Sequence, residues 1–288
     1  MATPAPIDLH HQGADRSIGC YVLDTDDGPA LFDCGPSTTI DALKAGLAEE
    51  GLTLGDVRHL LLSHIHLDHA GAAGLLVREQ PALQVHVSEI GAPHLVDPAK
   101  LERSARRLYE DRFDRLWGEL APVPAANVRV VGDRVLGLDC FPTPGHASHH
   151  VCYLDRDGTL YAGDAAGVRI QPGRYVMPPT PPPEFELELW QQTVDEIERR
   201  GPERLALIHF GVADDPGRHL ADLRLELYDW AEFVLGGAGE QEFVEYGRAA
   251  LANAGEDVAT YDIAMPLWQS YRGLARWADQ QNDLPPAA

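Results

Sequence analysis

Three histidines and one aspartate follow an apolar segment near residue 60, and they are the part of the sequence best suited to chemistry. The run Val57 to Leu62 supplies most of the apolar side chains that a buried strand needs, and His64, His66, Asp68 and His69 come directly after it. Packing does not explain these polar groups, because each buried imidazole would need its own hydrogen-bond partner. Neutral imidazole and carboxylate are the ligands that zinc and similar divalent ions prefer. The segment therefore predicts a metal site.

Further potential ligands stand at the ends of other predicted strands, at His146, Asp164 and His209. Strand ends of one sheet share an edge, so side chains far apart in sequence can converge there. Histidines at i and i+2 of an extended loop, such as His64 and His66, point the same way, and a third from another strand completes a three-nitrogen site with an open position for water.

The elements that must position these residues alternate between strands and helices. A hairpin is predicted over 18–32, a helix over 39–50, the strand before His64, a helix over 71–80 and a strand over 83–87, which is the βαβ pattern of a sheet covered by helices. Later strands are predicted over 128–131, 135–141, 151–154 and 205–208. The fold class is therefore α/β.

Three segments depart from this alternation. Residues 93–120 are charged and carry apolar residues at helical spacing, which predicts an amphipathic helical insertion. Its arginines could steer an anionic substrate, but solvation of a surface helix is the favoured interpretation. Residues 178–183 are too rich in proline for anything but an extended loop. After residue 211 only helices are predicted, so we expect a catalytic domain over 1–211 and a helical extension over 212–288.

Composition limits the partners and the location. The chain has 288 residues and a formal net charge of -22, which would repel nucleic acid and anionic lipid. No signal peptide or membrane span is recognisable, so a cytoplasmic protein is expected. Four cysteines without a Cys-x-x-Cys pair are interpreted as structural. The expected partner is a small-molecule substrate, with a homodimer left open.

The order and flanks of these motifs resemble the metallo-β-lactamase superfamily over residues 15 to 211. The matching features are a His-x-His-x-Asp-His loop at 64–69, a Gly-His at 145–146, a Gly-Asp at 163–164 and a last strand-end histidine at 209. The resemblance implies a four-layer αββα sandwich, here followed by an all-helical C-terminal extension.

The resemblance also implies two divalent metal ions, each held by three side chains, with one carboxylate shared: His64, His66 and His146 for the first ion, Asp68, His69 and His209 for the second, and Asp164 between them. Zinc is the expected metal, although iron and manganese accept the same ligands. Asp68 is in addition expected to orient the bridging hydroxide and carry its proton, as the catalytic residue. Tyr175 is a weak candidate for a substrate contact.

An aspartate at position 164 implies the esterase, thioesterase, lactonase and phosphodiesterase branches of the superfamily, because the commonest zinc β-lactamases have cysteine there. The predicted function is therefore a dinuclear metal-dependent hydrolase that uses a bridging hydroxide to cleave a small ester, lactone or thioester. One alternative is a glyoxalase II-type thioester hydrolase, which the helical extension favours. Another, of a different class, is a mononuclear iron persulfide dioxygenase.

Four polar residues near these motifs receive ordinary interpretations. Asp33 could accept a hydrogen bond from a metal-bound histidine, but a turn-forming role is favoured. One of His149 and His150 could form a hydrogen bond to a metal ligand, but a position at a helix start or on the surface is favoured. His11 is expected to be a surface or core residue without a partner.

Overall fold

Two six-stranded sheets form the centre of the fold in the computed structural model, which describes residues 3–282. The strands of the first sheet lie side by side in chain order: β1 Ile7–Asp8, β2 Gly19–Thr25, β3 Gly28–Phe32, β4 His59–Leu61, β5 Gln84–Val87 and β6 Val128–Val130. Those of the second sheet also lie in chain order: β7 Arg134–Val135, β8 Leu138–Pro142, β9 Val151–Leu154, β10 Thr159–Tyr161, β11 Arg204–Leu207 and β12 Gly211–Ala213.

Helices cover the sheets and extend the chain beyond them. The first six are α1 Ile40–Glu49, α2 Leu67–Ala70, α3 Ala73–Glu79, α4 Ala92–Val96, α5 Ala99–Tyr109 and α6 Phe113–Trp117. The others are α7 Leu187–Arg200, α8 Pro216–Leu235, α9 Glu240–Asn253, α10 Val258–Ala264 and α11 Leu267–Asn282. One core joins both sheets to α1 and α3, and a second joins the second sheet to α7 and the later helices. The four-layer sandwich and its C-terminal helical region are confirmed.

Strand direction brings the loops of interest to one edge. Strands β3 and β4 are parallel, so the residues after them leave the first sheet on the same side. In the second sheet β10 and β11 are parallel, while β8 and β9 are antiparallel, as are β9 and β10. The end of β8 therefore lies beside the ends of β10 and β11. The backbone N–H of Val151 donates to Ser63 O at 2.8 Å and the Tyr153 hydroxyl to Leu62 O at 2.9 Å, which joins the two edges.

The C-terminal helices are tied to the second sheet by buried polar contacts. Arg169, in the loop after β10, lies 2.6 Å from Asp215 at the start of α8. His219 of α8 lies 2.6 Å from the carbonyl oxygen of Ala166 through its Nε2. Trp230 of α8 is fully buried in the same core. The helices thus continue the packed body of the protein.

The elements differ from the sequence prediction mainly where they are short. Strands β1 and β12 were not predicted, because two or three residues are too few to show a period of two. The helical insertion is present but consists of α4, α5 and α6, with a positive φ of 52° at Glu110 between the last two. All four cysteines are buried and free, as predicted. Among residues 3–282 no helix is long and apolar enough to cross a membrane.

Candidate metal centre

Three imidazoles converge where the two sheets join. His64 and His66 follow β4, and His146 lies in the loop between β8 and β9. The Nε2 atom of His146 is 3.2 Å from Nε2 of His64 and 2.9 Å from Nδ1 of His66, and the last two atoms are 2.9 Å apart. These distances are close to the separation of about 3.3 Å between nitrogens that bind one tetrahedral zinc ion.

A second set of ligand atoms lies beside the first. Asp68 and His69 belong to the short helix α2, and His209 lies between β11 and β12. The Oδ2 atom of Asp68 is 3.6 Å from Nε2 of His69 and 3.4 Å from Nε2 of His209. The three ligand atoms are close enough together to hold one ion.

Asp164, at the end of β10, lies between the two sets. Its Oδ2 is 3.3 Å from Nε2 of His146, and its Oδ1 is 3.3 Å from Nε2 of His69 and 3.7 Å from Nε2 of His209. The carboxylate is fully buried, and neither oxygen has a hydrogen-bond partner among the described residues. A carboxylate whose two oxygens face two separate groups of nitrogens can bridge two ions.

Hydrogen bonds on the far sides of the rings show that the donor set fits a cation. His146 donates from Nδ1 to Pro179 O at 2.8 Å, so the Nε2 of a neutral ring carries a lone pair. The Ser63 hydroxyl donates to Asp33 and therefore accepts from Nδ1 of His64, at 2.9 Å, which leaves a lone pair on Nε2 of that ring too. Two lone pairs at 3.2 Å repel each other unless a cation lies between them. The residues present thus suit a metal ion.

The same contacts fix the orientation of the rings in the second set. Nδ1 of His69 is 2.8 Å from Oδ2 of Asp33, and Nδ1 of His209 is 2.5 Å from the carbonyl oxygen of Ser17. Asp33 is fully buried and also accepts from the backbone N–H and the hydroxyl of Ser63. Carboxylates that hold a metal-binding imidazole by its other nitrogen orient the ring and increase its basicity.

The role favoured for Asp33 from the sequence was therefore incomplete. Its φ of 55° does suit the turn after β3, but its side chain is the acceptor for His69. Polar spacing could not reveal this contact, because the two residues are 36 positions apart and meet only through the parallel pairing of β3 with β4.

His150 was also underestimated, because it is buried and not at the surface. Its Nδ1 is 2.7 Å from the Thr143 hydroxyl, and its Nε2 accepts the backbone N–H of Asp164 at 3.1 Å. Gly163 allows this approach, since a Cβ there would lie 2.7 Å from the His150 ring, and its φ of 50° favours glycine. His149 is buried as well and lines the cavity described below.

Electrostatics divide the cluster into a neutral half and a charged half. Burial lowers the pKa of His64 and His66 well below 6.5, and that of His146 below it. Burial also opposes protonation of His69, but Asp164, Asp68 and Asp33 together raise its pKa well above 6.5. The pKa of His209 is raised for the same kind of reason, through its bond to Asp68.

The charged half holds its protons when no ion is bound. Burial raises the pKa of Asp164 and Asp68, but the neighbouring imidazoles lower it by more. The net pKa is lowered, so both carboxylates are ionised at neutral pH. An ion entering this half must displace protons from the imidazoles, whereas an ion entering the three-nitrogen half meets neutral rings.

A cavity of about 710 Å³ opens above the cluster. His66 and Asp68 lie in its floor, and its wall comes from the insertion, the proline-rich loop and the segment joining α10 to α11. His11 is buried in this wall, stacked on Trp117 with ring centroids 5.4 Å apart. The sequence predicted no particular role for His11. Nothing in the sequence indicates its contact with Trp117, which is distant along the chain.

Tyr175, the predicted substrate contact, is not among the residues that line this cavity. Its hydroxyl donates to Glu226 of α8 at 2.9 Å, and its backbone N–H donates to Glu256. The structure therefore gives it a role in holding the C-terminal helices. The proline-rich loop does reach the site, since Pro179 accepts from His146 and residues 181–183 line the cavity.

Comparison with known proteins agrees with this architecture. A metallo-β-lactamase family protein from Thermus thermophilus superposes with a TM-score of 0.69 at 20% identity, over 99% of this chain and 95% of that one, and so has the same fold. The uncharacterized protein YobT of Bacillus subtilis (strain 168) is 26% identical over 155 residues, covering 53% of this chain and 63% of that protein.

An atrochrysone carboxyl ACP thioesterase from Emericella nidulans is 27% identical over 165 residues, covering 56% of this chain and 44% of the thioesterase. The match to these two relatives thus spans less than two thirds of their length. The family model of the metallo-beta-lactamase superfamily matches residues 14–209, which include every candidate ligand. This chain therefore belongs to the metallo-beta-lactamase superfamily, whose members are mostly hydrolytic enzymes and generally bind metal ions.

Proposed function

We propose that this chain is a hydrolase with two metal ions that cleaves thioesters. The observation that carries the proposal is the position of Asp164, whose two oxygens face the two halves of the cluster at 3.3 Å. One ion would be held by the three-nitrogen set and the other by the set of Asp68, His69 and His209, with zinc as the expected metal. When bound, such a pair supplies Lewis-acid polarisation of a carbonyl and a hydroxide at neutral pH.

Asp68 is the residue best placed to handle the proton of the attacking water. Its side chain is 13% exposed and lines the cavity, whereas Asp33 and Asp164 are fully buried. The imidazoles of His69 and His209 keep it ionised, so it can accept a hydrogen bond from water and orient the oxygen toward the substrate. Asp68 therefore both holds metal and positions the nucleophile.

In the reaction, water adds its oxygen to the thioester carbonyl carbon and the C–S bond breaks. The electron pair of that bond leaves with sulfur as a thiolate. One proton of the water ends on that sulfur, and the other is released to solvent. The products are the carboxylate of the acyl group and the free thiol. No oxidant or reductant is consumed.

The polar groups buried in the cavity wall favour a thiolate over an alkoxide as the leaving group. Burial lowers the pKa of His11 to about 4, so its ring is neutral at pH 7 and a weak acid. Burial raises the pKa of Tyr109, whose hydroxyl already donates to Gln269. An alkoxide needs a proton from such groups, but a thiolate, whose thiol has a pKa of about 8.5, leaves without one. The Emericella nidulans relative, named as a thioesterase, supports the same choice.

Esters and lactones remain part of the wider proposal, because the same nucleophile attacks them. A mononuclear persulfide dioxygenase is disfavoured by the second ligand set, because the ligand atoms of Asp68, His69 and His209 also lie within 4.8 Å of one another. A glyoxalase II-type reaction would use the same thioester chemistry. The described residues show no feature that is specific to the substrate of that reaction.

A substrate panel on protein of measured metal content tests the proposal. We expect about two equivalents of metal per chain and hydrolysis of thioesters at least about tenfold faster than that of matched esters and lactones, with phosphodiesters and β-lactams slower still. Chelation should abolish the activity and added zinc should restore it. Thioesters left intact by the two-metal protein, or oxygen uptake with a persulfide at one iron per chain, would contradict it.

The metal count needs one control. Asp8, His10 and Asp15 form an exposed group near the N-terminus that could bind an ion loosely. His10→Ala removes this group without touching the buried cluster. The count and the activity should both be unchanged in this variant.

A further inference from the structure

Four cations of the cavity wall have no ion-pair partner among the described residues. Within residues 3–282, Lys100, Arg107, Arg112 and Arg115 line the cavity and lie within 4.0 Å of no carboxylate. Acidic residues outnumber lysines and arginines by 45 to 23 in this chain, yet these four cations of one cavity have no acid beside them. Solvation alone, the interpretation favoured from the sequence, does not explain why they face a cavity.

Helix α5 presents two of these cations, Lys100 and Arg107, on one face. Lys100, Ser104 and Arg107 are spaced by four and three residues, and all three line the cavity together with Leu101 and Leu108 of the same face. Arg103, at the edge of this face, is exposed and does not line the cavity. The helix thus aims two cations and a hydroxyl into the cavity beside its apolar side chains.

The carboxylates of the wall are already satisfied. Glu184 accepts hydrogen bonds from the backbone and hydroxyl of Ser148, and Asp262 pairs with Arg248 at 2.8 Å. Neither lies within 4.0 Å of a cation of the insertion that lines the cavity. Apart from the metal-binding Asp68 in the floor, the cavity presents an excess of positive charge.

Trp268, at the start of α11, connects the cavity with an outer groove of about 740 Å³. The guanidinium of Arg112 lies 5.3 Å from its ring centroid and that of Arg272 lies 4.7 Å away. Arg112, Arg248 and Trp268 line both spaces. Because the two spaces share these residues, a path leads from the metal cluster past cations to the surface. Two carboxylates also line the groove: Glu240, which is paired with Arg272 at 3.2 Å, and Glu245.

We propose that this cationic wall binds the thiol half of the substrate through a phosphate group, so that the preferred substrates are acyl thioesters of a phosphopantetheine chain. The inference rests on the proposed thioester hydrolysis at the same site. Phosphate is recognised by guanidinium groups through paired hydrogen bonds, and an apolar wall next to them suits the acyl group and the uncharged part of the chain. Coenzyme A and a carrier protein both supply this chemistry.

Binding of thioether analogues, which cannot be hydrolysed, tests the inference on the full metal-loaded chain. The probes are the S-octyl thioethers of phosphopantetheine and of pantetheine, which differ only in the phosphate, and isothermal titration calorimetry gives Kd. We expect the phosphate to tighten binding about tenfold or more at low salt, and about 0.5 M salt to remove most of that difference.

Matched variants locate the effect. The combined variant Arg107→Gln, Arg112→Gln and Arg115→Gln should lose the preference for the phosphorylated probe while its Kd for the pantetheine probe changes less than about twofold. Arg103→Gln, which changes an exposed arginine of the same helix that does not line the cavity, should keep the preference. Circular dichroism and metal content verify that both variants fold.

Equal Kd values for the two probes, or an equal loss of preference in Arg103→Gln, would overturn the inference. Because the probes are not substrates, phosphate-dependent binding stands even if thioesters prove resistant to cleavage, which would refute the proposed function alone. Titrations with the S-octyl thioethers of coenzyme A and of an acyl carrier protein show which of the two supplies the phosphopantetheine group. The thioether with the lower Kd identifies the carrier, and tight binding of either supports recognition of the phosphate.

Discussion

The floor and the wall of the cavity are built in different ways. The floor consists of ligand side chains on short segments at the joined edges of two sheets. Four of its five rings are held by a hydrogen bond to a buried group such as Asp33 or Pro179. The wall consists of helices from an insertion and from the C-terminal region, with exposed cations and aromatic rings. The candidate ligands are thus fixed by buried hydrogen bonds, whereas the side chains to which we assign substrate choice are exposed on helices.

Removal of a floor ligand should give the largest effect. Asp164→Ala takes away the carboxylate shared by both halves of the cluster, and His66→Ala takes away one nitrogen of the first half. We expect both variants to stay folded, to lose metal and to lose at least about 1,000-fold in kcat/KM. Elemental analysis and steady-state kinetics give the result. Full activity in either variant would break the distinction between floor and wall.

A residue behind the floor should have an intermediate effect. Asp33→Asn keeps the shape of the side chain but removes the charge that orients His69. Metal affinity should fall about 10- to 100-fold, mostly for the second ion, and activity should return at high metal concentration. Competition with a chelator of known affinity measures this. Unchanged affinity for both ions would show that the Asp33 contact is only structural.

The helical region that carries part of the wall should loosen in acid. Burial lowers the pKa of His219 to about 4, whereas an unfolded chain has a value of about 6.5. Folding therefore resists protonation of this ring, and its contribution is complete above about pH 6.5 and is lost as the pH falls toward 4. Between about pH 7 and pH 5 the loss is about 2 kcal/mol. His219→Gln should reduce the pH dependence of the unfolding free energy by that amount.

Urea denaturation of both proteins at each pH provides the measurement. Because release of metal in acid affects the two proteins alike, their difference isolates His219. Parallel stability curves over the whole range would show that the ring does not resist protonation.

A wall substitution should have the smallest effect and leave the metal untouched. Trp117 stacks on His11 and lies edge to face with Tyr109, with centroids 5.0 Å apart. Trp117→Ala should raise KM about fivefold, through lost apolar contact with the substrate, with kcat within about twofold. Metal content should equal that of the parent protein. A loss of metal would instead mean that the wall supports the floor.

Much of the floor could be predicted from the sequence, because metal ligands have few chemical alternatives and fixed local spacing. Packing does not explain why an apolar strand is followed by His64, His66, Asp68 and His69. The later Gly-His and Gly-Asp pairs also follow strands. Regular elements of more than about four residues were also predictable, since their hydrophobic period is visible. The short edge strands β1 and β12 were not.

Tertiary structure decided everything that depends on contact between distant segments. Asp33 and His150 contact the candidate ligands because strand pairing brings them together. Tyr175 donates a hydrogen bond to Glu226 and does not face the cavity. From the sequence, the charged insertion could be only a solvated surface. In the structure the C-terminal helices pack around it and enclose a cavity, with Trp268 beside Arg112. Local spacing encodes which atoms can bind a metal, but the direction that a surface charge faces is set by the segments that pack around it.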